Sequence, residues 1–253
     1  MASFSEEKNT LSLKHIAIIM DGNNRWAKHK GLLGFEGHKA GAERVRDIVE
    51  CCRKSHVEVL SLFAFSSENW QRPAMEVKGL MTLFSLYIKK EAKALNKQGV
   101  RIRVIGERFR FSAGLQKRIA SAEALTADNT GMTLVLAVDY GGRWDIVEAA
   151  RKLARDAVDG VVDLDNINEA LFEQGLCLSD LPMPDLCIRT AGEQRISNFL
   201  LWQFAYSELY FADCYWPDFD KSAFSAAVAS YHSRQRRFGL SGEQVNAEGQ
   251  WSA

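Results

Sequence analysis

Short apolar runs alternate along the chain with longer stretches in which apolar residues recur every three or four positions. The runs at residues 15–20 (HIAIIM), 57–65 (VEVLSLFAF), 100–105 (VRIRVI), 133–138 (TLVLAV) and 185–188 (DLCI) read as buried strands. Most are apolar at odd and even positions alike, the pattern of a parallel sheet covered on both faces. After Pro73, the residues Val77, Leu80, Met81, Phe84, Ile88 and Leu95 keep helical spacing, while Lys78, Lys89, Lys90 and Lys93 take the other side. This predicts a helix of about 25 residues with proline at its start. Its wide apolar stripe suits either a core helix or one wall of an apolar tunnel. The run Phe199, Leu200, Leu201, Trp202, Phe204, Ala205 reads as a further helix, apolar nearly all round, starting at Asn198 and capped by Ser197. Alternating strands and helices predict an α/β fold, a central and mostly parallel sheet flanked by helices.

Polar motifs follow the strands directly. HIAIIM runs into Asp21-Gly22-Asn23-Asn24-Arg25-Trp26, and LSLFAF into Ser66-Ser67-Glu68-Asn69-Trp70. TLVLAV runs into Asp139-Tyr140-Gly141-Gly142-Arg143-Trp144, and LCI into Arg189-Thr190-Ala191-Gly192-Glu193-Gln194-Arg195. Ligands of open α/β sheets bind beyond the carboxyl ends of the strands, so these motifs are expected to converge on one rim.

Composition narrows what the rim serves. The chain has 253 residues, 47% of them hydrophobic, enough for one domain spanning 1–253 with a core from about 15 to 239. Residues 1–12 and 241–253 read as loose ends. Formal net charge is zero, which gives no global attraction to nucleic acid. Five cysteines without a C-x-x-C pair argue for reduced, mostly buried thiols and a reducing compartment. With no signal-peptide pattern and no apolar run long enough to span a bilayer, the expected location is the cytoplasm.

The rim is rich in arginine: Arg25, Arg72, Arg143, Arg189 and Arg195, with His38 nearby. Arginine forks bind phosphate oxygens in pairs, and a cluster points to more than one phosphate. Gly22, Gly141, Gly142 and Gly192 let backbone approach an anion. The candidate acids are Asp21, Glu68, Glu193 and Glu208. A lone carboxylate beside a phosphate cluster suits magnesium, and Asp21, delivered by a strand, is the best placed. The histidines lack zinc-ligand spacing. The P-loop, G-x-G-x-x-G, G-x-S-x-G and D-D-x-x-D patterns are all absent. The acidic run Asp156, Asp159, Asp163 and Asp165 reads as solvated surface. Taken alone, these residues indicate an α/β phosphate or diphosphate enzyme whose ligand carries an apolar part.

The motifs carry a resemblance. HIAIIMDGNNRWA, GHKAG, FAFSSENWQRP, YGGRWD, IRTAGEQRISNFLLWQ and SELYF with WPDF resemble, in order and spacing, the successive blocks of bacterial undecaprenyl diphosphate synthases in the cis-prenyltransferase family. The resemblance implies a homodimer with an apolar tunnel. It implies magnesium-dependent condensation of farnesyl diphosphate with isopentenyl diphosphates to give undecaprenyl diphosphate, a carrier for cell-wall polymers. It implies transient membrane contact at the inner face when product leaves.

The resemblance assigns roles as well. Asp21 is implied as the essential carboxylate handling magnesium and the allylic diphosphate. Gly22, Asn23, Asn24 and Arg25 would cradle that diphosphate, with Trp26 and His38 beside it. Ser66, Ser67 and Glu68 belong to the substrate site, Asn69 to proton removal, and Trp70 and Arg72 to substrate placement. Arg189, Arg195, Ile196 and Ser197 would clamp isopentenyl diphosphate. Glu208 is implied as a second magnesium-associated acid, serving across the dimer. Ala42, Leu62, Leu83, Ile105 and Met132 are candidate tunnel residues.

Some positions depart from the family pattern. Gly34 and Gln194 stand where arginine and histidine are common, and Ala191 replaces a frequent glycine in a loop that needs an unusual backbone angle. Asn24 and Asp139 also differ but stay polar. Two other readings are a dehalogenase-like phosphatase, which wants a second aspartate where Asn23 stands, and a non-catalytic partner subunit, which would lack Asp21 or the arginine clamp.

Overall fold

The structure, a computed structural model, describes residues 12–234. The expectation of loose ends falls outside these residues, apart from Ser12. All five predicted strands form: β1 (His15–Ile19), β2 (Val59–Ser66), β3 (Arg101–Ile105), β4 (Thr133–Tyr140) and β5 (Leu186–Arg189). A sixth, β6 (Glu208–Phe211), lies within SELYF at the edge of the sheet; its side chains are half-buried or exposed, so it lacks the buried apolar run of the others. The order is β3-β4-β2-β1-β5-β6, and every pairing is parallel.

Both faces are buried, as the strand runs require. On one face Ile16, Ile18, Leu60, Leu62, Leu134 and Leu136 join one core; on the other Ala17, Ile19, Val59, Val135 and Ala137 join a second. Alternate side chains of a strand point to opposite faces, so each strand serves both cores.

Helices α1 (Asn23–His29) and α2 (Gly34–Lys54) connect β1 to β2. Val45, Ile48 and Val49 of α2 pack into the first core. Helix α3 (Ala74–Lys97) forms as expected, with Pro73 as its cap residue. Val77, Ile88 and Leu95 are buried on it, and the four lysines are exposed. The remaining helices are α4 (Ala113–Leu125), α5 (Gly142–Val158), the short α6 (Glu169–Glu173) and α7 (Lys221–His232). The five cysteines are free, three buried and two half-buried. Asp159, Asp163 and Asp165 are exposed, as expected of a solvated stretch.

One predicted helix does not exist. Residues 198–205 form consecutive turns, with φ of +46° at Ser197, +62° at Asn198 and +41° at Leu200. A right-handed helix needs negative φ, so this segment has neither a helix nor a cap at Ser197. Its apolar character has another cause. Phe199, Leu200 and Phe204 are buried against the second core, with Phe199 stacked on Phe63 at 4.4 Å.

This topology positions the site. The chain leaves β1 over the first face, through α2, and leaves β5 over the second, through residues 190–207. Their carboxyl ends lie side by side, with Ile19 in register with Arg189. Connections that part to opposite faces leave a crevice at the topological switch point.

Candidate active site

The crevice between β1 and β5 holds Asp21 and Arg189. Thr190 secures the strand ends: its hydroxyl accepts from the Asp21 amide at 2.9 Å and donates to the Asp21 carbonyl at 2.7 Å. Gly22 follows with φ +100°, and a Cβ there would meet the Tyr215 ring at 2.6 Å. Glycine is therefore required for the chain to turn into α1 with Asp21 left on the rim.

The Asp21 carboxylate accepts from Arg189 at 2.8 Å and from Arg25 at 3.2 Å. Arg189 is only 4% exposed and also donates to the Arg195 carbonyl at 2.6 Å and the Ser197 hydroxyl at 2.7 Å. Arg25 and Arg195 share Glu193, at 2.9 and 2.5 Å. Burial works against the charge on Asp21, but Arg189 and then Arg25 outweigh it and hold the carboxyl below its ordinary range. Asp21 is thus ionised at neutral pH. Ser197, which accepts from Arg189 through its hydroxyl, sits at φ +46°. The Nε of Arg189 is buried without a hydrogen-bond partner among the described residues.

The second motif forms a tight 3-10 turn (Ser67–Gln71) after β2. The Asn69 side-chain oxygen accepts from the Ser66 amide at 3.1 Å, which fixes the amide plane. Arg72 pairs with Glu76 at 3.1 Å, and Asn24 donates to the same Glu76 oxygen at 3.2 Å, joining α1 to α3 across the opening. His38, on α2, is half-buried and its Nε2 has no partner among the described residues. Burial, then the nearby Arg72 charge, pushes its pKa down to about 4, so the ring is neutral at pH 7.

These residues surround the mouth of a cavity of about 760 Å³. Its polar end takes in Asp21, Gly22, Asn23, Asn24, Arg25, His38, Ser66, Glu68, Asn69, Arg72, Arg143 and Ser197. Its inner end is apolar, walled by Val45, Leu62, Leu83, Phe84, Leu136 and neighbouring side chains of α2, α3, β2 and β4. The stripe of α3 thus serves both readings left open above: Ile88 and Leu95 are core, and Leu80, Leu83, Phe84 and Tyr87 face the cavity.

Several expected site residues stand apart from the lining. Trp26 donates to Asp218 at 2.8 Å and borders a separate outer recess. Trp70 packs edge-on against Phe65 at 5.3 Å, with the Arg110 guanidinium 5.0 Å from its ring centre. Ser67, Arg195 and Ile196 are not among the lining residues, Arg195 lying exposed beside Glu193, and Arg189 reaches the cavity through Asp21 and Ser197. Ala42, Leu62 and Leu83 line the cavity as expected. Ile105 does not, because its register turns it to the opposite face, and Met132 precedes the amino end of β4, away from the rim. Glu208 is in register with Leu186 at the amino end of β6, remote from the rim, and pairs with Arg234 at 2.7 Å.

Two contributors were not among the expected site residues. Asn198, in the left-handed region that asparagine tolerates, donates to Glu68 at 2.7 Å and accepts from the Arg143 amide at 2.9 Å. Arg110 pairs with the buried Asp139 at 2.8 and 2.5 Å behind Trp70. Asparagine at a positive φ was the available sign for Asn198, but φ is not visible in sequence.

No cluster of three or more potential metal ligands exists among the described residues. That excludes an all-protein cage but fits magnesium, which needs one or two carboxylates and takes its other ligands from phosphate and water. Asp21, ionised at the mouth between Arg189 and Arg25, offers such a carboxylate.

An open parallel sheet with a charged, arginine-rich mouth over an apolar pouch defines the class: an α/β transferase acting on a diphosphate that carries a hydrocarbon. Residues 19–239 match the undecaprenyl diphosphate synthase family of prenyltransferases. A farnesyl-diphosphate-specific ditrans,polycis-undecaprenyl-diphosphate synthase of Pseudomonas aeruginosa is 56% identical over 93% of this chain and 94% of its own. That of Escherichia coli is 52% identical over 93% of each. Among solved structures, lavandulyl diphosphate synthase from Lavandula x intermedia, in complex with dimethylallyl diphosphate, superposes with a TM-score of 0.87 at 41% identity, covering 89% of this chain and 98% of its own. A probable undecaprenyl diphosphate synthase from Campylobacter jejuni gives 0.76 at 31% identity, covering 90% and 99%. The chain belongs to the undecaprenyl diphosphate synthase family.

Proposed function

We propose that the protein condenses farnesyl diphosphate with successive isopentenyl diphosphates in cis, making undecaprenyl diphosphate. The observation that carries this reading is the ionised Asp21, held between Arg189 and Arg25 at the mouth of an apolar cavity. The relatives named above support the choice of substrates.

In each cycle the allylic carbon–oxygen bond breaks, diphosphate leaves, and a bond forms to the isopentenyl chain, which then loses a proton. Charge builds on the departing oxygens. Arg25 and the rim backbone at Gly22 to Asn24 are placed to receive them, and fixed donors act most strongly where water is excluded. Asp21 would hold magnesium, which would supply further charge neutralisation. The second diphosphate is assigned to Arg195 and Ser197, with Arg189 joining the two subsites through Asp21. Holding both substrates at one mouth removes an entropic barrier. Asn69 is not basic. Its fixed amide orients the isopentenyl group or a water, and the proton passes to a diphosphate oxygen. The neutral His38 can donate one hydrogen bond without repelling the magnesium.

The hydrocarbon grows into the apolar end between α2, α3, β2 and β4. Ala42→Leu narrows that space and should shift the product ladder to shorter chains; an unchanged ladder would remove Ala42 from the length-setting wall. Glu208, on the edge strand β6, can serve a rim only if a second copy brings it there. We therefore retain it as a proposal tied to a homodimer, checked by sedimentation and by Glu208→Gln. No helix among the described residues is long and apolar enough to cross a membrane. The proposed setting is the cytoplasm, at the inner membrane face, where the product would feed synthesis of cell-wall polymers.

The deciding experiment incubates the protein with magnesium, farnesyl diphosphate and radiolabelled isopentenyl diphosphate, then sizes the extracted products. A magnesium-dependent ladder ending at undecaprenyl is expected. A shorter end point would keep the family and overturn the product. No incorporation by folded protein would favour a non-catalytic subunit.

A further inference from the structure

The 3-10 turn that carries Asn69 (Ser67–Gln71) has no buried residue of its own. Its residues are half-buried or exposed, and its largest side chain, Trp70, is the one that packs against the body of the protein. The indole stands edge-on to Phe65, near the end of β2, with the Arg110 guanidinium 5.0 Å from its ring centre. A guanidinium at that distance is attracted to the ring. The Trp70 Nε1 is buried and completes no hydrogen bond among the described residues. The indole is therefore seated by Phe65, from the strand just before the turn, and by Arg110, from a segment 40 residues further along the chain.

Arg110 is itself fixed. Its Nε and Nη2 donate to the two oxygens of Asp139 at 2.8 and 2.5 Å, a fork that sets both the plane and the position of the guanidinium. The Phe109 ring lies 5.7 Å from the same guanidinium. Asp139, near the carboxyl end of β4, is 1% exposed. Burial pushes its carboxyl above the ordinary range, opposed by Arg110 and by the nearby Trp70 N–H. The segment leading to Arg110 is fastened to the same strand. The Glu107 amide donates to the Asp139 carbonyl at 3.0 Å, and a Cβ on Gly106 would meet the Val138 carbonyl oxygen at 2.2 Å.

A buried ion pair is weak evidence for stability, since apolar side chains of similar volume hold two segments together as well. What the fork adds here is a defined place for a cation beneath the indole. Asp139 is also one of the positions at which this chain departs from the family pattern, so the carboxylate half of the pair is a feature of this chain.

We propose that Arg110, held by Asp139, is a positioning residue of the reaction: it seats Trp70, and through Trp70 it fixes the turn that presents Asn69 and Arg72 to the substrates. The seating is a property of the ligand-free chain. Its effect on turnover rests on the function proposed above.

The test reads the two separately. Arg110→Lys keeps the Asp139 charge paired but loses the fork. The double variant Arg110→Gln, Asp139→Asn removes both charges, so that neither is left buried alone. Fluorine NMR of ligand-free protein labelled with fluorotryptophan reports the seat, the Trp70 signal being the one lost in Trp70→Phe. That signal should move in both variants. In the double variant kcat, measured well below the melting temperature, should fall roughly 10- to 100-fold, the scale of misplacing a reacting group by up to about 1 Å. KM for either diphosphate should change less, because Arg25, Arg189 and Arg195 are left in place. Arg110→Lys should keep an intermediate rate. In an Asn69→Ala background the double substitution should cost little more, since the group it places is already gone. A lowered melting temperature with unchanged kcat would make the pair structural only and overturn the proposal. So would an unmoved Trp70 signal, or a full further loss in the Asn69→Ala background. Absence of prenyl transfer by the wild type would instead strike the function, and the NMR result would still decide the seating.

Discussion

His15 opens β1 and Asp21 lies two residues beyond its last residue, and the two ionisable groups are treated in opposite ways. At the amino end His15 is fully buried, and both ring nitrogens have partners: the Pro182 carbonyl at 2.7 Å and the Ser61 hydroxyl at 2.8 Å. Burial pushes its pKa down to about 4, so it is a neutral bridge between strands. At the rim Asp21 keeps its charge, partly exposed, between two guanidiniums. His38, near the rim, is neutral like His15, yet its Nε2 has no partner among the described residues. A buried polar atom left unsatisfied costs stability, so a protein keeps one mainly where a ligand completes it. Satisfied polarity marks the folding end of the strand, and unsatisfied or charged polarity marks the working end.

Substitutions at the two ends should separate accordingly. Asp21→Asn removes the charge but preserves the shape of the contact with Arg189. Turnover should fall roughly 10²–10³-fold or more, the scale of losing a fixed electrostatic group, with a cooperative melt retained. Near-normal turnover would erase the distinction between the ends. His15→Ala should do the converse, destabilising the fold by about 2–4 kcal/mol by opening a cavity and stranding Ser61, while activity per folded molecule is kept. Urea titration against turnover separates these outcomes.

The same histidine gives a pH signature. Its folded pKa lies below the ordinary 6.5, so between about 4 and 6.5 the unfolded chain binds the extra proton. Stability should therefore fall as pH drops through that window, by up to about 3 kcal/mol from His15 alone. His15→Gln should flatten the curve. If the slope survives the substitution, the titrating group lies elsewhere, His38 being the next candidate by the same sign.

The smallest effect concerns the loop after β5. Ala191 sits at φ +73°, as its place in a loop favouring glycine led one to expect. Ala191→Gly should relieve roughly 1 kcal/mol of left-handed strain, raising the melting temperature by about 2–4 °C. No gain would mean that the buried Ala191 methyl contributes as much by packing as it costs in backbone strain.

Much of the architecture was legible in sequence because it depends on local periodicity. Runs such as HIAIIM and TLVLAV, apolar at every position after the first, can be satisfied only by a sheet buried on both faces, and that alone placed the following motifs at one rim. The α3 stripe and its lysine face were equally readable. What failed was reading 198–205 as a helix. An all-apolar run has no period, and these residues are apolar because they cover the second core, in turns whose positive φ only the tertiary contacts impose. Pattern could not reveal β6, an edge strand without a buried apolar run, or the turning of Ile105 away from the cavity, which depends on register. The site is the clearest case. Asp21 and Arg189 are 168 residues apart in sequence and 2.8 Å apart in space. Sequence by itself determined that each would end a strand, because hydrophobic burial is a property of each run. Only the tertiary structure decided that β1 and β5 are neighbours whose chains part to opposite faces, because strand order is settled by how both cores close, and no single segment carries that information.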